Sequence, residues 1–115
     1  MTWHNRLEIP ARTPTLNVWQ RWHWRERNKY KKALTAEVGW LVVSWPKAAV
    51  KRYVVITRRY ATNQADKDNI AGGCKPLVDA LVKGKVLVDD SPRWCEIEYK
   101  QEQGNGMVVE VEERP

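Results

Sequence analysis

Residues 50–60, VKRYVVITRRY, constrain the fold more than any other stretch. They are β-branched and aromatic around a continuous apolar centre, the pattern of an inner strand. An inner strand needs neighbours on both edges, so the rest of the chain has to supply a sheet. Upstream, Tyr30, Leu34, Val38, Leu41, Val42 and Trp45 recur at steps of three and four. That spacing predicts a helix from about residue 22, with one apolar face and with Pro46 as its stop.

The remaining segments follow from local chemistry. Residues 3–9 (WHNRLEI) read as a first strand, and PARTPTLNVW, with two prolines, reads as a loop. ATNQADKDN reads as a polar loop. KPLVDALVKGK reads as a short helix, with Pro76 in its first turn and Gly84 at its C-cap. VLVDDSPR is a short strand or turn. WCEIEYKQ alternates as a half-exposed strand, GNG turns the chain, and MVVEVEE is expected to return antiparallel to it. The sum is roughly β-α-β-α-β-β: an α+β fold with a mixed sheet and two helices. At 115 residues, without repeat or linker, residues 1–115 are expected to be a single small domain.

Nothing reaches the run of about 18 apolar residues that spans a membrane. The opening MTWHNRLEIPARTP has no apolar signal core, so a cytoplasmic location is expected. Cys74 and Cys95 fit reduced thiols, and with His4 and His23 they give little support for structural zinc.

The charge is polarised. The net +6 lies in residues 1–32, which hold eight Lys/Arg against two acids, while residues 33–115 hold twelve of each. A localised basic face is the footprint of a polyanion binder. Arg21, Arg25, Arg27, Lys29, Lys31 and Lys32 are the candidate contacts to a DNA backbone, against the plainer reading of a solvated helix face. Trp19, Trp22 and Trp24 either stack on exposed bases or pack the helix, with core packing expected for at least one.

Against that basic background, ADKDNIAGGCKPLVDALVKGKVLVDD (65–90) collects five aspartates around Lys75. The plain reading is local: Asp66, Asp68 and Asn69 precede a helix, Asp89-Asp90-Ser91-Pro92 is a turn, and Lys75 with Asp79 is an i,i+4 pair. The sharper reading is a divalent-metal site. Asp66 and Asp68, if extended, point the same way, and Asp89 or Asp90 would close the set. Hard cations such as Mg²⁺ take carboxylate oxygens, and beside a basic face such a site suits phosphodiester cleavage, with Lys75 stabilising developing charge. A calcium loop fits poorly, because Ile70 falls where the next ligand belongs.

Asp66-Lys67-Asp68-Asn69, Lys75, Asp79-Ala80-Leu81 and Val88-Asp89-Asp90, with Leu16-Asn17-Val18-Trp19 ahead of a basic helix opening, resemble the RusA family of Holliday junction resolvases, the phage-type branch above all. The likeness covers roughly residues 14–112. It implies a small homodimeric endonuclease dependent on Mg²⁺, with Mn²⁺ as the alternative. Such enzymes are often phage- or prophage-encoded, act inside the bacterial host cell, and nick four-way DNA symmetrically in recombination and repair. It further implies that Asp66, Asp68 and Asp90 are the metal-binding catalytic carboxylates and Lys75 the active-site lysine. Asn69, Asp79 and Asp89 are implied in supporting roles, and Asn17 near the site. Two departures stand out: the Gly72-Gly73 step before Lys75, which is similar to the phage-type branch but which the best-studied branch lacks, and Ala65 where a basic residue often precedes the first aspartate, a gap that Arg58 or Arg59 would fill. The competing expectations are a non-catalytic DNA-binding dimer and a structural protein whose acids are only turns and caps.

Overall fold

In the structure, a computed structural model, residues 3–10 and 13–114 are described. Arg12, one of the eight N-terminal basic residues, lies outside them. The order is β1 (His4–Ile9), α1 (Leu16–Arg21), α2 (Trp24–Leu41), β2 (Arg52–Tyr60), α3 (Lys67–Gly73), α4 (Lys75–Lys83), β3 (Cys95–Gln103) and β4 (Met107–Glu112). The strands form one sheet in the order β1-β4-β2-β3, with β2 and β3 parallel and the other pairs antiparallel. This is the α+β fold with a mixed sheet that the patterning predicts.

β2 is the inner strand expected of residues 50–60. Val54 and Ile56 are buried, with β4 along one edge and β3 along the other. The helices lie on one face of the sheet, where Leu34 and Val38 of α2, Ile70 of α3 and Leu77 of α4 share a core with strand residues. Each such side chain taken fully from water contributes roughly 1.5–3 kcal/mol. Alternate strand residues, such as Glu96, Glu98 and Lys100, face outward and are exposed.

Four expectations change. PARTPTLNVW is not a loop throughout, because Leu16–Arg21 forms α1. The polar loop ends early, because α3 begins at Lys67. α2 stops at Leu41, five residues before Pro46, and residues 42–45 form a turn in which Trp45 N donates to Val42 O. With that earlier helix end, Leu41 falls on the exposed side instead of the apolar face.

The fourth change is topological. β3 and β4 do not pair with each other, because β2 lies between them. Gly104-Asn105-Gly106 carries the chain over the end of β2, and Gly104 N donates to Tyr60 O. Gly106 has φ +76° and lies against the backbone of Ile9 and Pro10, so it has neither the backbone angle nor the room for a side chain. Alternation fixes which face of a strand is buried but not which neighbour it pairs with.

Candidate functional site

α4 is amphipathic by spacing. Pro76, Leu77, Val78, Ala80 and Leu81 turn into the core, while Lys75, Asp79 and Lys83 recur every four residues and form one outward ridge. This ridge meets α2, where Lys31 and Thr35 make a matching i,i+4 row. Between the helices runs a groove of about 350 Å³ lined by Lys31, Thr35, Asp79, Lys83, Asp89 and Asp90, among others.

The loop from Gly84 to Trp94 forms the end of that groove. It contains no strand, so the turn alternative holds for VLVDDSPR. α4 closes in a Schellman motif: Lys85 N donates to Val82 O, and Val86 N to Leu81 O. Buried Val86 and Leu87 then anchor the loop, and Asp89 Oδ1 accepts from Asp90 N at 2.8 Å. Asp90 Oδ2 is thereby presented to Lys75 Nζ at 3.1 Å, and the same ammonium lies 3.2 Å from Asp79 Oδ1. Lys75 holds the Asp90 carboxyl below the usual carboxylate range, and the two carboxylates, Asp90 first, raise the lysine.

Asp66 and Asp68 are placed otherwise than extended alternation predicts. Asp66 is extended at the N-cap of α3, but Asp68 is already inside the first helical turn. Both are exposed, and the Asp66 side chain makes no capping hydrogen bond. The plain reading of Asp66 as a cap therefore places it correctly without giving its carboxylate a helix partner. Asn69 is half-buried, one turn in from Asp66.

Two features set where α3 begins. Gln101 of β3 grips the backbone of Ala65: its Oε1 accepts from Ala65 N at 2.9 Å and its Nε2 donates to Ala65 O at 2.8 Å. At the other end, a Cβ on Gly73 would collide with Pro14 O, and one on Gly72 would crowd Leu16. The Gly72-Gly73 step thus lets the segment bearing Asn17 dock against the helix bearing Asp68. Neither Gln101 nor Lys83 stands out in the sequence, because each depends on a contact across elements.

The basic residues divide. Arg21, Arg25, Lys29, Lys31 and Lys32 are exposed, as is Asn17 on α1, while Arg27 is half-buried. Trp19 is buried and packs edge-on against Tyr30, so core packing holds for it; Trp22 is half-buried in the same group. Trp24 is 57% exposed beside Arg25. Arg58 is buried and donates to Thr13 O, lining a pocket with Ala65; Arg59 is engaged with Glu102. Arg52, unremarkable in sequence, is buried, stacks over Trp3, and donates to Glu113, Val86 O and Pro46 O.

The donor types of Asp66, Asp68 and Asp90 suit a hard cation, but their placement does not make a site for one. Among the described residues no three His, Cys, Asp or Glu side chains gather closely enough to hold a metal ion. What the fold does bring together is Lys75, Asp79, Asp89 and Asp90. No protein-family model matches the chain, and a search of curated proteins finds no match either. No helix among the described residues is long and apolar enough to cross a membrane.

Proposed function

We propose that the chain is a structure-selective DNA endonuclease that resolves four-way junctions by paired, symmetric nicks in recombination and repair. The observation that carries this reading is the Lys75–Asp90 contact, which joins two elements of the acidic motif beside a groove that Asp79 and Asp90 line and whose opposite wall is the basic helix α2. Asp66, Asp68 and Asp90 are the proposed catalytic carboxylates, with Lys75 beside Asp90. Mg²⁺ is the proposed cofactor, with Mn²⁺ as the alternative; a hard cation supplies an activated water and neutralises phosphate charge. The reading carries a structural requirement, since Asp66, Asp68 and Asp90 have to close on one another in the active form. A homodimer matches the approximate two-fold symmetry of a four-way junction and presents two equivalent sites to it.

The test uses a labelled mobile four-way junction and a matched linear duplex, with Mg²⁺ or with EDTA, for wild type and Asp68→Asn. Symmetric nicks confined to the junction, to Mg²⁺ and to wild type are expected. Binding without cutting under either Mg²⁺ or Mn²⁺ would instead make the chain a non-catalytic junction binder.

A further inference from the structure

The groove beside Asp90 continues into a second cavity of about 280 Å³ lined by Lys31, Lys32, Thr35, Ala36 and Lys83. The two share Lys31, Thr35 and Lys83, so they adjoin. One end of the combined groove carries Asp79, Asp89 and Asp90, and the other carries three lysines from two helices. All three lysines are exposed, and none is ion-paired among the described residues. Lys75 differs, since its charge is matched by Asp79 and Asp90. The unmatched charge is therefore concentrated next to the acidic end without being cancelled by it. Three lysine side chains and Thr35 line one concave surface, with the Lys31 ammonium also 5.8 Å from the Trp19 ring, and together they attract an anion that carries several separated charges.

We infer that Lys31, Lys32 and Lys83 form a phosphate-binding track that seats the DNA backbone on the approach to the Asp89–Asp90 end of the groove. This rests on the nuclease reading and adds Lys83, on α4, to the basic residues of α2. Lysine contacts to phosphate release counterions, so each should appear in the salt dependence of binding and not in sequence preference.

The experiment measures junction and duplex affinity in EDTA at several salt concentrations for wild type, Lys83→Gln, Lys31→Gln and Lys100→Gln. Lys100 is exposed on the outer face of the sheet, away from the helices. Each groove variant should lower the slope of log affinity against log salt by about 1, and Lys100→Gln should leave it unchanged. Between roughly 50 and 200 mM salt, wild type should lose about threefold more affinity than Lys83→Gln. Circular dichroism confirms that each variant is folded. Wild-type binding with an unaltered slope for Lys83→Gln overturns the track and leaves the nuclease reading standing. Absence of any wild-type DNA binding removes both. Polyglutamate competing as well as DNA of equal charge would overturn the assignment to phosphate.

Discussion

Lys75 Nζ donates to Asp90 Oδ2 across 3.1 Å, tying the first turn of α4 to the loop that follows the helix. Both side chains are largely exposed, so the pair contributes little to stability. Its importance is positional, because it decides which way the Asp90 carboxylate faces.

Replacing Lys75 by Met should release that carboxylate. Asp90 titrates below the usual carboxylate range because of the lysine. A depressed folded pKa stabilises the fold above the unfolded value, and that contribution is lost as pH falls through the folded pKa. In Lys75→Met the Asp90 carboxyl carbon, followed by NMR, should titrate at a higher pH, back in the ordinary range. A midpoint that stays low would show that Lys75 is not what holds it down.

Gly73→Ala should separate the segment around Pro14 from α3. The added Cβ meets a backbone carbonyl, which cannot rotate away as a side chain can. Overpacking of this kind costs about 1–3 kcal/mol. Urea denaturation checks the loss, and an unchanged midpoint would mean that residues 13–16 shift freely.

These residues show where the sequence was readable. Residues 50–60 and the 75–83 helix announce themselves because their burial follows directly from the period of apolar side chains. Of the motif's distant members, Lys75 and Asp90 meet, but Asp66 and Asp68 form no metal-holding group with Asp90. α1 and α3 are invisible to that logic: each is six or seven residues long and leans on the other through Gly72 and Gly73. Nothing in the sequence marks Arg52 as a core residue, because its burial comes from Trp3, Pro46, Val86 and Glu113 closing around it. The pairing of β4 with β2 instead of β3 depends on the whole sheet, and no local signal in GNG distinguishes the two outcomes.

Lys85→Gly should raise stability. Lys85 occupies the left-handed position after α4 at φ 65°, while Gly84 before it has an ordinary φ of −76°. The left-handed conformation costs an L-residue roughly 1–2 kcal/mol, and the extra freedom of glycine in the unfolded chain returns about 0.5–1 kcal/mol of that. A gain of about 0.5–1 kcal/mol is expected in chemical denaturation. No gain would mean that the Lys85 side chain makes a compensating contact.

Alkali should destabilise the fold through Tyr30 and Tyr99, whose hydroxyls burial pushes up to about 12. The unfolded chain ionises near pH 10, so their contribution is complete below about 10 and is lost as pH rises from there to about 12. Both rings are only half-buried, so solvent screening holds the loss to about 1 kcal/mol for each. Thermal melts across this range should show the decline, reduced in Tyr30→Phe. An identical decline in that variant would assign it to other groups.

Gln101→Glu isolates how the chain is aimed at Asp66. Gln101 both accepts from and donates to the backbone of Ala65, one residue before the aspartate. A carboxylate can still accept from Ala65 N but has nothing to donate to Ala65 O, so half of the clamp is lost and a partly buried carbonyl faces a negative charge. Such a loss costs about 1–3 kcal/mol, here confined to the loop. The Ala65 amide should exchange with solvent roughly tenfold faster or more, while the melting temperature changes little. Because α3 starts immediately afterwards, with Ile70 N donating to Asp66 O, exchange at Ile70 should rise as well. Under the nuclease reading, junction cleavage falls while junction binding in EDTA is retained, since the basic groove lies on other elements. Unchanged exchange at both amides would mean that the docking of α3 alone positions Asp66, and the clamp would then have no part in the site.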